Sequence, residues 1–546
     1  MKIQLSEHFT YKKLLQFVFP SIIMMIFTSI YSVVDGLFVS NFVGKSAFAA
    51  VNLIMPFLMG ISALGFMIGT GGSAIVAKTL GEGKIENANE YFSMLVYITA
   101  IGGIIIAILS MFLVKPVAIL FGASGTLLDN CILYGRILCI SLPAFMLQNV
   151  FQSFFVTAEK PHLGLRVIVI AGVTNMVLDF LFVAVLHLGL PGAGFATVCG
   201  EFIGGLFPLF YFGRKNSSLL KLGKTHFHGR ILLKTCTNGS SELMTNLSSS
   251  VVNALYNMQL MKFAGEDGVA AYGTIMYVNF IFVSIFFGYA IGSAPIVSYH
   301  YGANNQDELK NLFHKSIRLI GTWAVSLFII AQLIATPLAT LFVGYDQGLF
   351  ELTRSGFRLY SFAFLINGFN IYGSAFFTAL NNGLLSALIS FLRTLVFQMA
   401  VVLLLPLLLG INGAGLPILS FSTWVPRSSI RAASSTTGPR TSYNTLSSLD
   451  DFLNICMAEL PALSFLSVIV FFIAAENNVK LGKSHVSQYV SGKTVPRNDI
   501  LHFLADTLHV DADWLLGDSQ ENFTARENNS VAPKAPSTTK TSGSVG

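Results

Sequence analysis

The stretch VTNMVLDFLF (173–182) decides the fold, because it places one carboxylate inside a long apolar run. VVDGLF (33–38) repeats the arrangement near the N-terminus, where Asp35 is the only charged residue of its run. About 20 apolar residues span a bilayer as a helix, and an ionised group at the centre costs several kcal/mol unless it faces protein or water. Asn175 precedes Asp179 by four residues, so both lie on one helix face. The sequence therefore predicts an intramembrane cation or proton site.

The composition supports a membrane protein. Apolar residues make up 53% of the 546 residues and charged residues only 11%, whereas soluble domains are about one quarter charged. The five cysteines have no paired spacing, which predicts neither a disulfide framework nor a zinc site. No Ser/His/Asp set, HExxH motif or soluble catalytic domain is found. We therefore predict an all-α polytopic membrane protein that is not an enzyme and has no bound cofactor.

Apolar runs between polar breaks predict about twelve transmembrane helices. They lie near 14–39, 48–77, 91–114, 131–157, 164–187, 193–213, 232–262, 268–299, 314–342, 354–380, 384–409 and 456–475. Lys and Arg collect in alternate loops and in the basic segment 214–231. Since cytoplasmic loops carry the excess of Lys and Arg, we expect both termini in the cytoplasm. The net charge of +6 has the same explanation and does not indicate nucleic-acid binding.

Residues of the first half recur in the second half at a constant distance along the chain. This distance equals the separation between Phe42 and Phe263. The same offset carries Gly81 to Gly302 and the turn GLPGAG (189–194) to GINGAG (410–415). Internal repeats of this kind are typical of secondary transporters, which place their sites between the repeats. The sequence therefore predicts two six-helix pseudo-repeat lobes, and we call this separation the repeat offset.

Polar side chains recur on three other predicted spans. The fourth span carries Asn149, Ser153 and Thr157. The repeat offset carries them to the tenth span as Asn370, Ser374 and Thr378. The seventh span carries Glu242, Asn246, Ser249, Asn253 and Asn257. Such stripes either join helices or line a wet cavity, and we favour a substrate cavity because one stripe carries a carboxylate.

The acidic set is not repeated, because the repeat offset carries Asp35, Asn175 and Asp179 to residues without a carboxylate or an amide: Tyr256, Val396 and Ala400. We therefore expect one lobe to bind the coupling ion. Glu201, in the sixth span, has either a structural role or a role in proton relay. Arg393, in the eleventh span, is expected to bond backbone carbonyls or make a lobe contact.

The chain resembles the multidrug and toxic compound extrusion (MATE) family, in its prokaryotic branch. The resemblance rests on VVDGLFVSNFVG (33–44), GTGGSAIVAKTLGEGK (69–84), GSAPIVSYHYGANN (292–305), NMVLD (175–179) and the two GAG turns. It implies two six-helix lobes arranged as a V. It also implies export of organic cations by alternating access, driven by inward Na⁺ or H⁺.

The resemblance implies a coupling site made of Asp35, Asn175, Asp179 and Thr197. Carboxylate, amide and hydroxyl oxygens suit a hard cation such as Na⁺, but two adjacent acids can also share a proton. The set therefore leaves sodium and proton coupling open. In another branch the seventh and tenth helices carry acids. This chain has Glu242 but only asparagines in the tenth span, so that second site is incomplete.

The expected substrates are small lipophilic cations, held against Phe and Met side chains and steered by Glu242. We expect a monomer in the plasma membrane of a prokaryote, with lipid as its surroundings and no nucleic-acid partner. Two alternatives stay open. A flippase for lipid-linked oligosaccharides would need basic groups for pyrophosphate, and a membrane-tethered DNA-binding regulator would need a complete DNA-binding domain.

The pattern of the repeat changes after Gly415. An N-lobe over 1–213 and a basic linker over 214–231 precede a C-lobe over 232–415. We then expect a Ser/Thr-rich disordered insertion at 416–455 and the twelfth helix at 456–476. Residues 477–518 resemble part of a Cro-like helix-turn-helix, and we expect 519–546 to be a disordered tail.

Overall fold

A computed structural model describes residues 3–344, 346–399 and 402–403. They belong to one compact unit, Met1–Val425, and the second unit is Pro426–Gly546. The described residues form helices and contain no strand. The insertion, the twelfth span, the helix-turn-helix-like segment and the tail predicted from the sequence lie outside the described residues.

Eleven α-helices follow one another along the described part of the chain. They are α1 (Tyr11–Phe38), α2 (Lys45–Gly81), α3 (Ile85–Leu120), α4 (Gly125–Thr157), α5 (Pro161–Asp179), α6 (Gly189–Gly213), α7 (Gly229–Gly302), α8 (Gln306–Val343), α9 (Gln347–Tyr360), α10 (Phe364–Ala379) and α11 (Gly383–Phe391). π-Helical turns continue three of them, at Val39–Val43, Phe180–Val185 and Leu392–Phe397, and a 3₁₀ turn at Ser361–Ala363 joins α9 to α10.

The helices correspond to the predicted spans, but several of them extend beyond the apolar runs. Among the residues that the structure describes, nine helices are long and apolar enough to cross a membrane. α7 contains the seventh and eighth predicted spans, which part at Gly265, where φ is 62° and ψ is −150°. This is a backbone conformation that glycine adopts without a steric penalty. The segment before Gly265 is not one of the nine, because its polar stripe lowers its hydropathy.

An aromatic cluster holds the N-terminal half together near its end at the 214–228 linker. Phe151 of α4 and Phe212 of α6 stack at 5.7 Å with an interplanar angle of 11°. Phe92 of α3 meets Phe154 edge to face at 4.9 Å. All four rings are buried, and aromatic pairs in such geometries contribute about 0.5–1.5 kcal/mol beyond the burial of their area. The cluster therefore fixes α3, α4 and α6 as one rigid group.

The two halves meet through glycines on α2 and α7. A Cβ added to Gly81 would collide with the carbonyl oxygen of Tyr299, and one added to Gly302 would collide with that of Lys78. The repeat offset carries Gly81 to Gly302 and Lys78 to Tyr299, so the contact is reciprocal, as at a two-fold interface. Small residues let helix backbones approach this closely in a membrane.

This packed end of the interface lies at one face of the molecule, which we call the linker face. It carries residues 3–10, the turns 82–84, 158–160 and 303–305, and the linker 214–228. Further along the same two helices, towards the opposite face, side chains are exposed, such as Met59 on α2 and Met258 on α7. The halves are therefore closed against each other at the linker face.

Candidate cation site

Three helices of the N-terminal half bring the predicted polar set together. The carboxyl group of Asp35 on α1 interacts with Asp179 and Asn175 of α5 and with Thr197 of α6. Asp35, Asn175 and Asp179 are 9%, 4% and 0% exposed. Thr197 is half-buried, and its hydroxyl donates to the backbone oxygen of Ala193 at 3.1 Å. Residues far apart in the sequence thus form one buried cluster.

Close helix packing creates this cluster. A Cβ added to Gly172 on α5 would collide with the ring of Phe27 on α1, and one added to Gly200 on α6 would lie 3.0 Å from the carbonyl oxygen of Ala171. α5 therefore lies tightly between α1 and α6. Asp179 is the last residue of α5 before the π-helical turn Phe180–Val185. Asp35 lies four residues before the π-helical turn Val39–Val43. π-Helical turns occur frequently at functional sites.

The cluster leaves buried polar atoms without hydrogen-bond partners. They are Asp35 Oδ1, Asn175 Oδ1 and Nδ2, and Asp179 Oδ1 and Oδ2. More than nine in ten buried polar groups in proteins have a partner, and an unsatisfied one costs about 1–3 kcal/mol. Within the described residues no Lys or Arg forms an ion pair with either acid. The arrangement suits a small cation or a shared proton, whose charge would satisfy these oxygens.

Metal sites of other kinds are not present in the described ranges, where no group of three or more His, Cys, Asp or Glu residues is placed to hold a metal ion. The cluster itself contributes two carboxylates, one amide and one hydroxyl. Such a ligand set suits Na⁺ better than it suits a transition metal, because transition metals prefer imidazole or thiolate ligands.

Glu201 is a third carboxylate next to the cluster. It follows Thr197 by one helical turn on α6, in the direction of the linker face, and it interacts with Ser141 of α4 and with the charge of Asp35. The spacing of four from Thr197 is the sequence signal for this position. The structure shows that Glu201 belongs to the polar interior of the N-terminal half, and its role stays a prediction.

The polar residues of α4 and α10 pack between helices in this conformation. Asn149 and Ser153 are buried, and the backbone of Asn149 lies against Gly69 of α2. The Ser374 hydroxyl contacts those of Ser386 and Ser390 on α11 at 3.0 and 2.8 Å. Asn370 is half-buried and its Nδ2 has no partner. The Ser374 hydroxyl therefore joins α10 to α11 in this conformation, and the place of Ser374 in a substrate cavity stays a prediction.

The stripe on α7 changes character along its length. Glu242 and Asn246 are half-buried, and Asn246 Nδ2 donates to the backbone oxygen of Glu242 at 2.8 Å. Asn253 is exposed and its Oδ1 accepts from the Tyr272 hydroxyl at 2.8 Å. Asn257 is exposed. Only the part of the stripe remote from the linker face is therefore exposed in this state.

Arg393 makes polar contacts with α7. Its guanidinium donates hydrogen bonds to Thr394 Oγ1 at 3.3 Å and to Thr245 Oγ1 of α7 at 3.5 Å. The guanidinium also interacts electrostatically with Glu242 of α7. Nη1 of Arg393 is buried without a partner. Arg393 thus bonds side-chain hydroxyls within its own half, where we expected backbone carbonyls or a lobe contact. The role of Glu242 in steering cations stays a prediction.

We expect Arg393→Met to lower the free energy of unfolding by about 1–3 kcal/mol, since the hydrogen bonds to Thr245 and Thr394 and the electrostatic attraction to Glu242 are lost. The double variant Glu242→Gln/Arg393→Met should recover part of this loss. Thermal unfolding of the purified protein in detergent measures both. If the losses of the two single variants simply add in the double variant, Glu242 and Arg393 do not form a pair.

A model of the MatE family matches the chain twice, over residues 20–181 and again over residues 243–404. Together the two matches cover more than half of the chain. The chain belongs to the MatE family. The double match also confirms the internal duplication that the repeat offset predicts. Proteins of the MatE family are membrane transporters, which confirms that the chain is a multi-pass transporter and not an enzyme.

Relatives of this MatE chain carry names of exporters. It is 21% identical over 408 residues to "Multidrug export protein MepA" of Staphylococcus saprophyticus, which covers 74% of this chain and 87% of that protein. It is 24% identical over 300 residues to the protein of the same name from Staphylococcus haemolyticus, covering 55% of this chain and 66% of the relative.

Solved structures confirm the fold of the MatE chain. One is described as the outward-facing conformation of a multidrug resistance MATE family transporter of the MOP superfamily. It superimposes with a TM-score of 0.72 over 76% of this chain and 93% of that chain, at 23% identity. The predicted all-α, two-lobe membrane fold is therefore correct.

Proposed function

We propose that this protein exports lipophilic organic cations in exchange for Na⁺ or H⁺, and that the coupling ion binds at Asp35, Asn175, Asp179 and Thr197. The observation that carries the proposal is the group of unpartnered buried oxygens on Asp35, Asn175 and Asp179. The names of the staphylococcal relatives support export of drug-like molecules. The absence of an equivalent acidic set in the sequence of the second half supports coupling through one lobe.

The ion acts by changing how α1, α5 and α6 pack. Two carboxylates cannot lie together ionised in a low-dielectric interior without a compensating charge. Binding of Na⁺ or a proton removes this repulsion and lets the three helices pack more tightly. The ion therefore favours the access state in which the three helices pack more tightly. The equilibrium between the two access states shifts by the difference between their affinities for the ion.

Orientation follows from the basic loops. We infer that the linker face is cytoplasmic and that the described state is closed to the cytoplasm, because the glycine contacts of α2 and α7 lie at that face. Both termini would then be cytoplasmic and the protein would lie in the plasma membrane. Expected ligand contacts are the exposed Met258 and Phe280, which suit the apolar body of a lipophilic cation.

Efflux of ethidium from proteoliposomes tests the proposal, with Na⁺ and pH gradients imposed separately. Export driven by one gradient, and absent without it, would support coupled antiport and identify the ion. No dye movement under either gradient, from protein that elutes as a single species, would contradict drug export. A flippase for lipid-linked oligosaccharides would then be the next candidate, although the described interior groups of the N-terminal half are carboxylates and amides and do not favour it.

A further inference from the structure

Residues 3–10, which we call the strap, connect both halves of the protein across the linker face. The backbone N–H of Leu5 donates to Glu159 Oε1 at 2.9 Å, after the end of α4 in the N-terminal half. The N–H of Phe9 donates to Glu308 Oε1 at 2.9 Å, on α8 in the C-terminal half. Leu5 and Phe9 are both 0% exposed. The strap is therefore a packed part of the interface between the halves.

Glu308 is the main anchor of the strap. Its side chain is 6% exposed, and its Oε2 pairs with His8 Nδ1. Asn311 Nδ2 donates to Glu308 Oε1 at 2.9 Å, and Lys315 Nζ donates to the Phe9 carbonyl oxygen at 2.7 Å. Hydrogen bonds to a buried ionised group are about twice as strong as neutral ones. The strap is thus bonded through backbone and side chain to one helix of the C-terminal half.

A similar contact forms at the start of the second half, although the repeat offset pairs Glu308 with Asn87 and not with Glu90. At the repeat offset, the strap corresponds to 224–231, the last part of the linker and the start of α7, and α8 corresponds to α3. There, His226 Nδ1 lies 2.9 Å from Glu90 Oε1 on α3, and His228 Nε2 lies 3.4 Å from the same atom. In both halves, a segment that leads into the first helix is held by a carboxylate near the start of the other half's third helix.

This connectivity makes the contacts sensitive to opening. The strap continues directly into α1, whose N-cap Thr10 accepts from the Lys13 N–H, while its anchors Glu308 and Lys315 belong to the opposite half. The halves cannot part at the linker face without breaking these bonds and exposing Phe9. The linker is constrained in the same way, because it continues into α7 while His226 is bonded to Glu90 of α3.

We propose that the strap and the 226–228 segment form a pair of pseudo-symmetric latches that hold the linker face closed, and that the strap leaves Glu308 whenever that face opens. The inference rests on the alternating access of the proposed function. The latches are reversible polar contacts at the rim of the linker face. They stabilise the closed state in addition to the glycine contacts of α2 and α7.

Distances between spin labels test the latch without any substrate. Labels at the exposed positions Glu86 on α3 and Asp307 on α8, in a chain whose five cysteines are replaced by alanine, report the separation of the halves. We expect Phe9→Ala/Glu308→Gln to raise the more distant population at least about 10-fold, a shift equivalent to about 1.4 kcal/mol. The control Gln4→Ala changes an exposed strap residue and should change nothing. Equal distance distributions in all three proteins would overturn the proposal.

A reversible cross-link provides the second readout. His8→Cys/Glu308→Cys, joined by a short methanethiosulfonate cross-linker in the same cysteine-free chain, fixes the strap to α8. We expect ethidium efflux to stop and to recover when the link is reduced. Efflux at the unlinked rate with the link intact would show that the strap need not leave. If the cysteine-free chain with His8 and Glu308 in place moves no dye either, the proposed function fails, and the spin-label distances alone decide the latch.

Discussion

Asp179→Asn is expected to abolish gradient-driven export while the protein stays folded. Asp179 is 0% exposed and both of its carboxylate oxygens lack hydrogen-bond partners, so the substitution breaks no hydrogen bond and removes one of two neighbouring acids. Loss of one of the two carboxylates should weaken binding of the coupling ion about 100-fold, or about 2.8 kcal/mol. Relief of the buried charge should leave the thermal stability equal or higher.

Ethidium efflux and thermal unfolding measure the two effects of Asp179→Asn in parallel. The matched control is Asp129→Asn, which changes an exposed carboxylate near the start of α4 and should leave both unchanged. Normal efflux by Asp179→Asn would contradict the assignment of this cluster. A variant that unfolds would instead show that Asp179 has a structural partner.

The largest conformational effect is expected for Gly81→Ala/Gly302→Ala. Each new methyl group would overlap a backbone carbonyl of the other half, at Tyr299 or at Lys78, and backbone atoms cannot rotate aside. Overpacking of this kind costs about 1–3 kcal/mol per site. Because the clash exists only where the halves touch, the closed linker face loses this free energy and the open state does not. The population of the open state should rise roughly 10- to 100-fold for each site.

The spin-label pair at positions 86 and 307 measures this shift. Gly102→Ala is the matched control, because a Cβ at this α3 position has no neighbour within 4 Å. It should leave the distance distribution unchanged and should raise stability slightly, since alanine favours a helix. An unchanged distribution in Gly81→Ala/Gly302→Ala would mean that the glycine contacts do not set the closed state.

Much of the fold could be predicted from the sequence, because the lipid environment requires long apolar helices and one repeat offset relates the two halves. Helix ends were less predictable. The span near 91–114 corresponds to Ile85–Leu120, because helical hydrogen bonding continues through polar residues beyond the apolar run. The break at Gly265 followed from the polar residues around it, and glycine allowed its conformation.

The meeting of Asp35, Asn175 and Asp179 could be predicted because isolated acids in lipid need a common partner. Other contacts could not. Periodicity shows which face of a helix is polar, but not what lies opposite, so the hydrogen bond from Arg393 to Thr245 and the contacts of Ser374 required the structure. The strap could not be predicted either, because its bonds to Glu159 and Glu308 come from the backbone N–H groups of Leu5 and Phe9, which sequence patterns do not reveal.

The central claim is that one exchangeable cation binds at Asp35, Asn175, Asp179 and Thr197. The most direct measurement is displacement of that cation when ethidium is added to the purified protein, followed as proton release in weak buffer and as loss of bound ²²Na⁺. We predict that ethidium displaces about one proton or one Na⁺ per protein and that Asp35→Asn displaces neither. Equal displacement by Asp35→Asn, or none by a chain that exports the dye, would contradict the account.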